Sequence, residues 1–337
     1  MKKNIIIITG IILLLNINVV YAQENAYNKE SIIYKISNIE NDNPNKLKKA
    51  LGEKNNINLT LSKGYSLLMW AVNNQFLKIS QYLVENKVDI NAQDRKGNSA
   101  LLYATNKKNN DIFKLLIKNG ADIHLKNNGG QSPLVNIIAK SNIEKLKIII
   151  SLKNKKELDL DNAYFEEYSL LNLAFSLNDI DDNIIKLLLL GGADPNSKNN
   201  FGEPVIFQAI KKDKKQIVSY FLQKGLNPNI KDQNGNTPLL VAAENGNNEI
   251  FRGLALNGGN PKHINNYGSN ALMIAAKNGN THIVSFLMKN YYSQIQERDR
   301  EYYIAHSLAK TNGHFSIIKI MEQAQKTNKP FIFKSFQ

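Results

Sequence analysis

Apolar residues in this chain come in short blocks, neither in long runs nor in strict alternation. Leu67-Leu-Met-Trp-Ala-Val72 is broken by the polar Asn73-Asn-Gln75, and Ile79, Tyr82 and Leu83 then return at helical spacing. The same pair of blocks recurs in segments that begin at Gly64, Gly97, Gly130, Glu167, Gly202, Gly235 and Gly268, spaced 33, 33, 37, 35, 33 and 33 residues apart. A second register keeps step with the first: Val88-Asp-Ile-Asn91, Ala121-Asp-Ile-His124, Ala193-Asp-Pro-Asn196 and Leu226-Asn-Pro-Asn229. A fixed period of this length marks a repeat architecture, and here each period predicts two short helices and a turn.

The residue types fit such a unit. Ser66, Ser99, Ser132, Ser169 and Thr237 stand where a first helix begins, so their oxygens can accept from free N–H groups of its first turn. Pro133 and Pro238 follow at the position where a missing N–H costs nothing. Ala71, Ala104, Ala174, Ala209, Ala242 and Ala275 keep the first helix slim enough for close neighbours. Apolar pairs, Tyr82-Leu83, Leu115-Leu116, Ile148-Ile149, Tyr220-Phe221 and Phe286-Leu287, mark the inner side of the second helix. Gly120, Gly192, Gly225 and Gly258 close that helix in a left-handed conformation, and the glycines that open the segments sit at hairpin turns. Helices of about three turns are marginal alone in water, so stability must come from stacking on neighbours.

These segments resemble the ankyrin repeat, whose pattern runs G-x-T-P-L-H-x-A-A, a second helix, and then G-A-D-x-N. The resemblance spans about residues 61 to 290 and implies an all-α solenoid of about eight to nine helix–turn–helix units with short β-hairpin tips. The family histidine is replaced by Met69, Leu102, Val135, Asn172, Phe207, Leu240 and Met273, which trades a polar bridge for packing. Residues 23–60 read as a degenerate N-terminal capping repeat with a helix at Pro44 to Leu51, and 61–321 as the repeat domain. Residues 302 to 321 form its C-terminal capping pair, and 322–337 are a tail. Extra residues near Lys153 to Leu160 and Asp179 to Asp182 are expected to be surface loops. Gly253 falls inside a second helix, at a cost of about 1 kcal/mol against alanine.

Residues 1–22 read as a signal peptide: Lys2 and Lys3, an apolar stretch from Ile5 to Val20, then Val20 and Ala22 at −3 and −1, with Gln23 as the mature start. An uncleaved anchor is the alternative, weakened by Asn16 and Asn18. The expected location is therefore periplasmic or extracellular. No cysteine is present, which removes thiolate nucleophiles, zinc ribbons, iron–sulfur clusters and disulfides. The formal charge is +14, yet arginine occurs only at 95, 252, 298 and 300, and lysine is spread among many asparagines. Nucleic acid is not expected, because bidentate phosphate recognition favours arginine.

No catalytic constellation emerges. The five histidines lack an i, i+4 partner or an H-E-x-x-H context, and Asp179, Asp181 and Asp182 lack the glycine and glutamate of a calcium loop. Neither a metal nor a cofactor is expected, nor enzymatic activity. What remains is surface. The resemblance implies a partner protein bound on a concave face of hairpin tips and first helices. Carried over by position, that face displays Tyr65 and Asn74, then Arg95, Lys96, Asn98 and Lys107. Phe201, Glu203, Lys211 and Lys212 follow, then Gln233, Asn234, Asn236, Glu244 and Asn245, and finally Tyr267 and Lys277. Aromatic residues at turn tips, Tyr65, Phe201 and Tyr267, have no packing reason there and suit binding anchors. Trp70 reads as core. The basic excess of that face favours an acidic partner, and the scaffold is expected to be a monomer. An envelope-anchored structural protein and a basic polyanion binder are the competing readings. The tail with Phe331, Phe333 and Phe336 either docks elsewhere or folds back.

Overall fold

The computed structural model describes residues 29–52, 56–152, 158–160, 169–177, 181–199, 201–291 and 299–327. The signal segment, Asp179 and the Phe-rich tail lie outside them. The chain forms two compact units, which divide between Asn136 and Ile137.

In the first unit, residues 29–37 are helical and α1 (Pro44–Leu51) follows, capped by the Asn43 side chain. Then come α2 (Leu67–Asn73), α3 (Leu77–Glu85), α4 (Ala100–Thr105), α5 (Asp111–Lys118) and the start of α6 (Pro133–Ala139). The second unit continues with α7 (Ile143–Leu152), α8 (Leu170–Ser176), α9 (Asp182–Gly191), α10 (Ile206–Lys211) and α11 (Lys215–Gln223). It ends with α12 (Pro238–Asn245), α13 (Asn248–Leu256), α14 (Ala271–Lys277), α15 (Thr281–Asn290), α16 (Asp299–Thr311) and α17 (Phe315–Thr327). The architecture is an all-helical repeat stack, and among the described residues no strand forms. Hairpin tips close on single antiparallel bridges, Thr60–Ser66, Gln93–Ser99 and Lys198–Pro204.

Caps fix where the first helices start. Ser66, Ser99, Ser132 and Ser169 accept from the N–H three residues on at 3.2, 3.2, 3.2 and 3.3 Å, and Thr237 does so at 3.5 Å. Asn270 caps α14 in the same way at 3.0 Å, a role its neighbours in the sequence reading did not reveal. The repeat at Pro204 has no capping side chain, and α10 starts late, after Val205. Gly97 illustrates the tip: its φ is +77°, and a Cβ there would lie 2.6 Å from Asn128 Oδ1.

Packing is between neighbours. In the first unit α2 lies against α3 and α4, and α3 against α5. In the second, α10, α12, α14 and α16 stack in sequence, as do α7, α9, α11, α13, α15 and α17. Of each apolar pair only the second member is fully buried: Leu83, Leu116, Ile149, Phe221 and Leu287 sit inside, while their partners are half-buried. The residues that replace the family histidine are all buried; Asn172 donates to Ser169 Oγ at 2.9 Å, and apolar side chains fill the place of the polar bridge in the other six. Each such side chain contributes about 1.5–3 kcal/mol relative to exposure.

Asparagines tie the stack at its edge. The Oδ1 atoms of Asn58, Asn91, Asn196 and Asn229 accept from the N–H groups of Asp89, Asp122, Asn227 and Asn260 at 2.9, 2.9, 2.7 and 2.8 Å. His124 occupies the equivalent place, and its buried Nε2 has no partner among the described residues. His314 Nε2 lies 3.0 Å from the Lys277 carbonyl, which gives that histidine a structural role.

Two expectations need correction. The insertion near Lys153 to Leu160 is not wholly a surface loop: Leu158 and Leu160 are buried, and Leu160 fills the space that Gly191 leaves. An apolar pair in a lengthened repeat gains more from the core than from water. Trp70 is half-buried, as a semi-buried place in the repeat implies, and packs edge-on against Phe76 at 5.5 Å. At the chain end α17 continues to Thr327, past residue 321.

Candidate partner-binding surface

Hairpin tips are locked together by main-chain bonds: Arg95 N donates to the Lys63 carbonyl at 3.0 Å, Asn128 N to Lys96 at 2.9 Å and Asn266 N to Asn234 at 3.0 Å. The tip at Leu61 to Tyr65 closes on main-chain bonds alone, and five others turn around an acceptor side chain. Asp94, Asn127, Asn199, Asp232 and Asn265 take the N–H groups two and four residues on. The side chains between these acceptors are therefore presented from a rigid backbone.

In the first unit the tips frame a cleft of about 640 Å³ lined by Lys63, Tyr65, Asp94, Arg95, Lys96 and Tyr103 among others. Tyr103 Oη donates to Asp94 Oδ2 at 2.6 Å, Asn98 Nδ2 donates to the same oxygen at 3.2 Å, and the N–H groups of Lys96 and Asn98 take Oδ1. Burial pushes the Asp94 carboxyl up, but these four donors outweigh it and hold its pKa below the usual carboxylate value. Tyr65 meets Tyr103 edge-on at 5.3 Å. Burial, with Tyr103 and Asp94 adding, pushes the Tyr65 phenol up to about 12. Tyr65 was expected as an exposed tip residue; it is half-buried, because the Tyr103 ring gives it a packing partner. Asn98 is a turn-forming residue that also accepts from Asn127 Nδ2 at 2.9 Å. Asn74 is spent on the Trp70 carbonyl at 2.9 Å, and Lys107 reaches Asn73 Oδ1 at 2.8 Å. Arg95 and Lys96 are exposed.

In the second unit a groove of about 480 Å³ brings together Lys211, Asn234, Asn236, Glu244, Asn245, Tyr267 and Lys277. Its floor, Val241, Met273, Ile274 and Leu308, is apolar. Tyr267 is 72% exposed and donates to Asn234 Oδ1 at 3.0 Å, and Phe201 is 65% exposed. Gln233 donates to the Phe201 carbonyl, while Glu203 pairs with Lys211 at 2.7 Å. Lys212 turns away to the Phe175 carbonyl at 2.8 Å. Asn236 is held by Asp232 and Asn265.

Tyr103 and Asp94 were missed by the sequence reading. The spacing Asp94 to Asn98, repeated as Asp232 to Asn236, was the signal for the turn. The acidic residues read against a calcium loop have local roles: Asp181 caps α9, and Asp182 pairs with Lys214. Among the described residues no group of three or more His, Asp or Glu side chains could hold a metal ion, and no helix is long and apolar enough to cross a membrane.

No curated protein matches this sequence. Among solved structures the fold is similar to the ankyrin repeat domain of Bcl-3, a member of the IkappaB protein family. The identity is 21% over 64% of this chain and 95% of that one, with a TM-score of 0.54. An ankyrin repeat domain from Acinetobacter baumannii AYE is 28% identical over 57% of this chain and 97% of that one, with a TM-score of 0.48. The family model for ankyrin repeats (three copies) matches residues 36–127, 170–265 and 239–329, most of the sequence. The chain belongs to the ankyrin repeat family.

Proposed function

We propose that this protein is an exported, monomeric, non-catalytic scaffold that binds a partner protein through its hairpin tips and first helices, a concave face in the family, outside the cytoplasm. Ankyrin repeats are generally protein–protein interaction scaffolds, which sets the class of function. The observation that carries the reading is the presentation of Phe201 and Tyr267, 65% and 72% exposed, from bonded tips amid polar groups. Large rings fixed on a rigid frame and rimmed by polar side chains are what anchors of an interface require. Lys2, Lys3 and the apolar stretch that follows support export.

Affinity capture from periplasm and culture medium, repeated with Phe201→Ala and Tyr267→Ala, tests the reading. Recovery of a protein that both variants lose is the expected result, and equal recovery with every variant dismisses this face. N-terminal sequencing that finds Gln23 first removes the anchored alternative.

A further inference from the structure

We infer that the cleft of the first unit is a subsite for an acidic peptide segment that carries an aromatic or aliphatic side chain. This deepens the scaffold reading by naming the chemistry of the partner. Three cations, Lys63, Arg95 and Lys96, line one cleft from exposed positions, and among the described residues no carboxylate pairs with any of them. The nearest acid, Asp94, is already saturated by four donors from Tyr103, Asn98 and Lys96, so its oxygens are turned into the tip. The cleft therefore holds three cations against one ionised carboxylate that is already engaged within its tip, an excess of positive charge, while main-chain bonds hold its tips together. Such an arrangement is completed by anionic groups from outside, and Arg95 adds a planar fork that suits a carboxylate.

Charge alone would fit any polyanion. The floor decides between them: the edge-to-face pair Tyr65 and Tyr103 gives a half-buried aromatic wall, its far hydroxyl fixed on Asp94. A wall of that kind gains from an apolar side chain and nothing from a bare chain of phosphates or sulfates. Acidic residues beside an apolar anchor satisfy both parts of the cleft.

The test uses the full chain and a fluorescein-labelled Glu-rich peptide with one central Phe, followed by fluorescence anisotropy. Saturable binding is expected, weakened about tenfold or more by Arg95→Gln with Lys96→Gln. The peptide with Ser for Phe should also bind about tenfold more weakly. Tyr65→Phe keeps the ring and should bind as the parent does. Lys289→Gln, an exposed charge at the end of α15 outside both clefts, should change nothing. Both cation variants are at exposed sites, and far-UV circular dichroism checks that they stay folded. No binding, equal binding of the Ser peptide, displacement by heparin as effective as by unlabelled peptide, or an equal loss with Lys289→Gln would each overturn the inference. A partner captured normally by Arg95→Gln with Lys96→Gln but lost by Tyr267→Ala would leave the scaffold reading standing and remove this subsite alone.

Discussion

The two units present their tips and first helices with the same backbone devices and fill them with different chemistry. In the first unit an ionised Asp94 organises the tip, a tyrosine pair forms the wall, and three cations line the same cleft, none in an ion pair among the described residues. In the second, Asp232 and Asn265 organise tips in the same way, but the groove floor is aliphatic. The rim there sets Lys211 and Lys277 against Glu244, and Glu203 takes Lys211 in an ion pair. The comparison teaches that the repeat separates its two tasks. Buried positions answer to stacking, and tip positions are free to vary in charge and shape without disturbing it.

That separation can be broken or sharpened by substitution. The largest effect is expected from Phe221→Ala, which empties a fully buried site on α11 beside the Phe175 ring of α8. It should cost about 3–5 kcal/mol in urea unfolding. Hydrogen exchange should rise in the second unit while the amides around Asp94 stay protected, because stacked repeats feel chiefly their neighbours. Uniform acceleration over both units would count against the separation.

Tyr103→Phe comes next, with a loss of about 1.5 kcal/mol at neutral pH from a bond to an ionised group. The Asp94 pKa is depressed on folding, so the stability it adds is present above the ordinary carboxylate range and fades as pH falls through that range. The variant loses a donor that depresses this pKa. Its difference from the parent should therefore shrink in acid, as urea midpoints across the acidic range will show. A difference that stays constant with pH would mean that the hydroxyl does not act through Asp94.

Gly253→Ala should act in the opposite direction. A Cβ at Gly253 meets nothing within 4 Å, so α13 should gain about 0.8 kcal/mol, visible as a higher midpoint of thermal unfolding. The smallest effects are expected at the edge ladder. At about 0.5 kcal/mol per exposed bond by denaturant titration, Asn91→Ala in the first unit removes one, whereas Asn229→Ala in the second removes two, its Oδ1 accepting from Asn260 N and its Nδ2 donating to the Gly258 carbonyl. Equal losses would show that the bond from Asn229 to Gly258 adds nothing to the ladder.

Much of the fold was legible in the chain. Ser66, Ser99 and Thr237 announce helix starts because a capping oxygen acts on atoms two or three residues away. Gly120 and Gly192 announce helix ends for an equally local reason. Leu158 and Leu160 were misread, since their burial depends on the room beside Gly191. The candidate surface was legible only in part. Position in the repeat placed Arg95, Lys96, Phe201 and Tyr267 on it, but gave no notice that Asn74 and Lys212 are spent on carbonyls.

The sequence by itself determined the period, the caps, the turns and the basic balance, all of which depend on residues close together along the chain. Tertiary structure decided which side chains remain available. Tyr65 has its partner 38 residues away, and among the described residues Arg95 forms no ion pair although acids lie nearby in sequence. Whether a charge or a ring is satisfied depends on neighbours brought from other repeats, and distance in space, unlike order in the chain, exists only once the repeats have stacked.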